Sequence, residues 1–468
     1  MDQHKALDRR SFLAQASAGA AAFALWPADN VPPQQPHFPA RARRVLYLHM
    51  SGGPSQHDLF DYKPALARWH GQDLPDSVRQ GQRITTMTSI QPRLRIANTR
   101  RLFAQRGQCG AWISDLLPHT AQVADELAII RSMQTDAINH EPAINLLQTG
   151  AEQPGRPSFG AWLAWAIGSE SSALPAFVVL HSTWSGPKVD QPLYHRLWGA
   201  GFLPAQHQGV LLRSQGDPVL FLQDAPGVSR AARQAQLEAM ATLNAAAHER
   251  FHDPDIDARQ RQAELAFRMQ AAVPELVDIT QEPPSALALY GDDVGKRGTF
   301  ANNALLARRL LERGVRCVQI YHRGWDQHKD LEQDLPRQCR DVDQATAALL
   351  FDLRQRGLLD DTLVVWTSEF GRTVYAQGDL DDGSYGRDHH PRCFVTWLAG
   401  GGVRKGLQLG ETDELGYNTV RDPVHVHDFN ATLLHLLGFD HEQLTFRFQG
   451  RDFRLTDVHG RVVRALLA

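Results

Sequence analysis

Cysteine is scarce in this chain of 468 residues. There are four, Cys109, Cys317, Cys339 and Cys393, and no CxxC pair, which argues against a thiolate zinc site. Four cysteines allow three pairings, and the sequence neither selects one nor requires any. Cys317 in VRCVQIY and Cys393 in RCFVTWLA sit in apolar runs and read as small core hydrophobes. An excess of charge of one sign is also lacking: 49 Lys and Arg stand against 52 Asp and Glu, a net −3 with His neutral. That balance leaves no basic footprint for nucleic acid. Beyond the N-terminus no run is long and apolar enough to cross a membrane, for which about 20 residues are needed. No internal repeat is visible. What remains is an ordinary globular composition, 43% hydrophobic and 22% charged, with ample length for a large core.

The N-terminus is distinctive. In DRRSFLAQASAGAAAFALWPA, Arg9 and Arg10 precede Phe12, Leu13 and a run of small, weakly hydrophobic residues. This is the shape of a twin-arginine export signal. The Pro-rich DNVPPQQPHFPARA that follows reads as a linker. Residues 1–40 are therefore expected to be signal and linker, residues 41–468 the exported domain, and the location periplasmic or extracellular. A route that carries folded proteins suits a chain that acquires a metal or other cofactor before export.

Six short, nearly continuous apolar runs recur: Arg43–Met50, Glu126–Met133, Ala176–His181, Val315–Tyr321, Thr362–Ser368 and Cys393–Ala399. Such runs suit strands of a sheet buried on both faces. Helical patterns lie between them. TFANNALLARRLLERG carries Leu305, Leu306, Leu310 and Leu311 with Gly314 as its stop; DVDQATAALLFDLRQRG repeats the design, with Asp341 or Asp343 as cap and Gly357 as terminator; HDFNATLLHLLG has Asp428 as N-cap and ends at Gly438. The alternation predicts a doubly wound α/β fold with a mainly parallel central sheet. The stretch 229–272, rich in Ala, Gln, Arg and Glu, reads as an inserted helical arm broken near HDPDID.

Ligands of open α/β sheets bind beyond the carboxyl ends of the strands, and polar groups accumulate there. SGGPSQHDLFD supplies Gly52, Gly53, His57 and Asp58; QTDAINHEPA supplies Asn139 and His140; HRGWDQHKD supplies Asp326 and His328; EFGRT supplies Glu369 and Arg372; GRDHHPR, before the last strand, supplies His389 and His390. Imidazoles and carboxylates are good ligands for zinc, manganese and iron. Gathered at one edge they require a cation or mutual pairing. Adjacent residues of an extended chain point to opposite sides, so one of His389 and His390 is expected to bind.

These motifs, from RRSFL through LHMSGGPSQHDLFD, SMQTDAINHEPA, WDQHKDL, VVWTSEFGRT, GRDHHP and DPVHVHDFNATLLHLLG to GRDFRLTDVHGRVV, resemble in order the exported bacterial family called domain of unknown function 1501. A second resemblance is to the alkaline phosphatase and sulfatase superfamily. TLVVWTSEFG is similar to a sulfatase strand ending in Thr-Ser-Asp, and HEPAINLLQTG to the nucleophile helix, with Pro142 and Thr149–Gly150 matching and His140 at the nucleophile position. Ser51, Gly52 and Gly53 stand where that superfamily has its first metal Asp. Glu369 replaces another Asp, and Phe370 its His or Asn neighbour.

The expected function is a metal-dependent hydrolase acting on an anionic sulfate or phosphate ester, a small molecule or glycan. Asp326, His328 and one of His389 and His390 would hold a divalent ion (zinc, manganese, iron or calcium), with Glu369 and His57 or Asp58 completing the site or holding a second ion. Arg372 would clamp a substrate oxygen, and His140 would act as general base or nucleophile. The Gly52 and Gly53 amides, with Asn139 nearby, would face the developing negative charge. The alternative left open is a catalytically degenerate protein that binds an anionic glycan or a partner protein.

Overall fold

The computed structural model describes residues 34–468 apart from 187–191, 215 and 221; the twin-arginine motif lies outside the described residues. Nine strands form one sheet: β1 (Arg44–Met50), β2 (Ala128–Gln134), β3 (Phe177–Ser182), β4 (Val210–Leu212), β5 (Cys317–His322), β6 (Thr362–Thr367), β7 (Phe394–Ala399), β8 (Gln408–Leu409) and β9 (Val424–His425). Their order is β8-β2-β7-β6-β1-β5-β3-β4, with β9 also on β2. β1 lies between β5 and β6 and is parallel to both. Only β7 runs antiparallel, against β2 and β6. The six expected strands are all present; the short β4, β8 and β9 were too brief to show a pattern.

Alternation along β1 explains the double winding. Leu46, Leu48 and Met50 enter one apolar cluster, Val45 and Tyr47 the other. The seven longest helices among the described residues are α1 (His140–Thr149), α2 (Phe159–Ile167), α3 (Arg230–Phe251), α4 (Pro254–Val277), α5 (Phe300–Glu312), α6 (Leu331–Gln355) and α7 (Val426–Leu436). Leu305 of α5 and Leu349 of α6 cover the first face. Leu147 of α1, Trp162 of α2 and Leu433 of α7 cover the second. Parallel strands joined through helices bring the carboxyl ends of β1, β2, β5 and β6 to one edge, and antiparallel β7 begins there.

Two helix starts differ from expectation. α6 begins at Leu331, ten residues before Asp341, because Leu335, Gln338, Cys339 and Val342 continue its buried stripe. Asp343 is spent elsewhere: its carboxylate accepts from the His119 and Thr120 amides, both at 2.8 Å. α7 is capped by His425, and Asp428 is its third residue, reaching back to the His425 amide in a capping box. The stretch 229–272 holds two long helices, α3 and α4, separated at His252, whose φ is 50°, and α4 runs on to Val277. α4 buries Met269, Val273 and Leu276 in the core, while α3 buries only Leu237. All four cysteines are free. Among the described residues no helix is long and apolar enough to cross a membrane.

Candidate metal centre

Four side chains from two strand-end segments and a hairpin meet at the strand-end edge: His140, Asp326, His328 and His389, one potential ligand atom of each lying within 4.8 Å of the others. β2 leads through Asn139, at the N-cap of α1, to His140 in its first turn. β5 leads to Asp326 and His328. His389 comes from the hairpin Gly371–Gln377/Gly386–His390, paired opposite Arg372. The Nε2 atoms of His140, His328 and His389 lie 3.2, 2.8 and 3.3 Å from one oxygen, Asp326 Oδ1.

The other ring nitrogens decide what this convergence means. His140 Nδ1 is 2.7 Å from Glu369 Oε1, His389 Nδ1 is 2.8 Å from the Ile138 carbonyl, and His328 Nδ1 bonds the Gln377 side-chain oxygen. Each partner is an acceptor, so each Nδ1 carries the proton and, in the neutral imidazole, each Nε2 presents a lone pair. His140 Nε2 is buried with no hydrogen-bond partner. Three lone pairs facing a carboxylate oxygen repel one another unless a cation stands between them. Metal-binding histidines are commonly fixed by an acceptor on the second nitrogen in this way, and three His with one Asp is a donor set suited to zinc or another divalent transition ion. The residues fit such an ion.

The electrostatics agree. Burial alone would raise the Asp326 carboxyl, but the Arg372 guanidinium, 2.6 Å away, and the imidazoles hold it well below the usual carboxylate range. Burial likewise opposes ionisation of Glu369, and His140 and His49 hold it low. Burial pushes His389 down to about 4, against the pull of Asp326, which keeps the ring neutral. His140 moves the other way: burial works against its charge, but Asp326 and Glu369 together raise it. Phe370 closes the apolar side, its ring 4.8 Å from His140 and 4.5 Å from His389. Asp326 and His328 are only partly buried, so the cluster opens to solvent on their side.

A family model described as a protein of unknown function (DUF1501) matches residues 42–467. The chain belongs to this family. A search of curated proteins finds no match. Among solved structures it is similar to the phosphonate monoester hydrolase SpPMH from Silicibacter pomeroyi (12% identity, 75% of this chain and 71% of that one, TM-score 0.32), to the PsFucS1 sulfatase from Pseudoalteromonas sp. (13%, 86% and 69%, 0.36), and to an alkaline phosphatase from the Antarctic bacterium TAB5 (12%, 85% and 97%, 0.28).

Within this DUF1501 chain several expected site residues lie elsewhere. His57 and Asp58 stand on a buried helical turn, Gln56–Leu59, away from the cluster; Asp58 pairs with the buried Arg387 at 2.9 Å and His57 lies against Gln56. His390 points away from His389, as the alternation requires, and its Nε2 sits 2.7 Å from the Tyr417 carbonyl. Glu369 does not reach the cluster itself; it lies behind the His140 ring, fully buried, accepting from the Gly52 amide at 2.9 Å and from Ser368 at 2.8 Å. Arg372 is not a free clamp. It donates to the carbonyls of Gly52, Gly53 and Arg387 as well as to Asp326, and is 1% exposed. The Gly53 amide is spent too, on Ser368 Oγ at 3.1 Å. Asn139 remains exposed at the rim.

Gly52 has a steric reason in place of a binding one. Its φ is +120°, and a Cβ there would stand 2.6 Å from the Asp326 amide. The turn lets the Asp326 loop cross directly over the end of β1. Sequence reasoning missed Gln377, the Ile138 carbonyl and His49, whose Nε2 lies 3.3 Å from Glu369 Oε2. His49 left a readable signal, a lone imidazole in an otherwise apolar buried strand; a main-chain acceptor such as Ile138 leaves none.

Proposed function

We propose that this chain is a metal-dependent hydrolase that acts on an anionic sulfate or phosphate ester outside the cytoplasm, after export by the twin-arginine route. The observation that carries the reading is the convergence of three imidazole Nε2 atoms on Asp326 Oδ1, each ring held by an acceptor at Nδ1. His140, Asp326, His328 and His389 would hold the ion. When bound, a divalent cation supplies Lewis acidity at the oxygen of an ester or of water.

The chain's own residues have separate tasks. Glu369 fixes the tautomer of His140 and strengthens it as a donor. Arg372 anchors Asp326 and offsets its charge. Phe370 keeps water from the buried side, so substrate approaches past Asp326 and His328. His140 has Nδ1 held by Glu369 and Nε2 turned to the cluster, which supports a ligand's part for it in this reading, in place of a base or nucleophile. None of the four cluster residues carries a hydroxyl or thiol, and this reading takes water as the attacking group.

A second reading, a protein that holds metal and binds an anionic glycan or partner without turnover, is favoured by one observation: Arg372 and the Gly52 and Gly53 amides are already consumed by protein partners. Metal-loaded protein assayed against aryl sulfates, phosphate monoesters and phosphodiesters separates the two. Turnover that disappears in Asp326→Asn supports the hydrolase. Full metal content with no turnover of any ester supports the binder.

A further inference from the structure

A concave pocket of about 280 Å³ opens beside the cluster, and two arginines, Arg83 and Arg392, line it. Both are exposed, and neither guanidinium has an ion-pair or hydrogen-bond partner among the described residues. By contrast, Arg372 and Arg387 are fully engaged in the core, and Arg95, Arg101 and Arg308 each hold a carboxylate. The carboxylate in the pocket, Asp136, is turned to His425 at 3.1 Å, so it does not answer either arginine. Thr135 adds a buried hydroxyl without a partner.

The pocket and the cluster share a wall. Ile138 lines the pocket and its carbonyl holds His389 Nδ1. The Thr135 amide donates to the Pro391 carbonyl at 3.0 Å, joining the two chain segments that carry the pocket. Ile138 precedes His140 by two residues and Arg392 follows His389 by three. A chain advances at most about 3.6 Å per residue, so these backbone positions lie within roughly 7 and 11 Å of the cluster residues. A guanidinium recognises sulfate, phosphate or carboxylate through paired N–H donors.

We infer that the Arg83–Arg392 pocket is an anion-binding subsite, and that the ligand of this protein carries a second anionic group, sulfate, phosphate or carboxylate, beyond the one addressed at the cluster. The subsite stands on the free arginines; the claim that it serves one ligand jointly with the cluster rests on the metal-centre reading.

The test is calorimetric titration of zinc-loaded protein with inorganic sulfate. Wild type should bind two sulfates. Asp326→Asn should lose one and Arg83→Ala/Arg392→Ala the other; both arginines are exposed, so a melt matching wild type checks that the double variant folds. A single sulfate in wild type, removed only by the arginine double variant, would remove anion binding at the cluster and still support the subsite. A single sulfate removed only by Asp326→Asn, or wild-type binding in the double variant, would overturn the subsite. For joint use, a disaccharide bearing two sulfates should bind at least about tenfold more tightly than its monosulfated counterpart, with the advantage lost in the double variant. Equal affinities in wild type would overturn the two-anion ligand.

Discussion

Single atoms carry the account at the residue scale. Asp326 Oδ1 stands within 3.3 Å of three Nε2 atoms and of the Arg372 guanidinium. Asp326→Asn keeps the shape and removes the charge, so metal content should fall below about a tenth of wild type by elemental analysis. Glu369→Gln leaves a smaller mark, because the residue acts through His140; zinc affinity should drop about 10- to 100-fold in a competitive chelator titration, the range found for such supporting groups. Arg372 separates two roles by the kind of damage done. As a substrate clamp, Arg372→Lys would raise KM and little else. As a buried anchor with carbonyl partners, it should lower the melting temperature and metal content together, since the shorter ammonium leaves buried acceptors unmatched. The sequence made Asp326, His328 and one of His389 and His390 legible as a group, because imidazoles and carboxylates recur after strand ends. It did not separate His140, inside the cluster, from Glu369, behind its ring, because that distinction is a matter of a few ångströms.

Positioning is done by elements. The turn through Gly52 and the hairpin that carries Arg372 and His389 set where the ligands stand. Gly386 lies so close to the His328 backbone that a Cβ would stand 2.1 Å from the His328 carbonyl carbon; this contact braces hairpin and loop together. On the opposite face, α5 is tied to its neighbours by Arg308, 2% exposed, which lies 2.5 Å from Glu282, 2.6 Å from Glu312 and 3.1 Å from Asp352 of α6. Removing one member of a buried ion network strands the others, at a cost of about 3–5 kcal/mol. Arg308→Ala should therefore lower stability by that order in denaturant unfolding while leaving zinc affinity of the folded protein unchanged. Apolar runs made six strands legible; the hairpin was not, because GRTVYAQ has only a three-residue apolar run and GRDHH is polar though buried. The start of α6 was hidden for a similar reason: Asp343 looks like a cap by type and is used as one by a different segment.

Taken whole, the molecule is a sheet with apolar clusters on both faces and its polar convergence at one edge. Composition and alternation made that class legible, while the partners of each buried polar group required coordinates. Because the cluster exists only in the folded chain, bound metal should stabilise the fold: at a free zinc concentration 100 times Kd the gain is about 2.7 kcal/mol. The melting temperature should rise on loading, fall on chelation, and stay flat in Asp326→Asn. The central claim, that the three imidazoles and Asp326 share one cation, is tested most directly by element-specific anomalous scattering from crystals of metal-loaded protein. One peak about 2.0–2.2 Å from the Nε2 atoms of His140, His328 and His389 and from an Asp326 oxygen is the predicted result. A fully loaded crystal with its peak elsewhere, or with no peak among these four side chains, would contradict it.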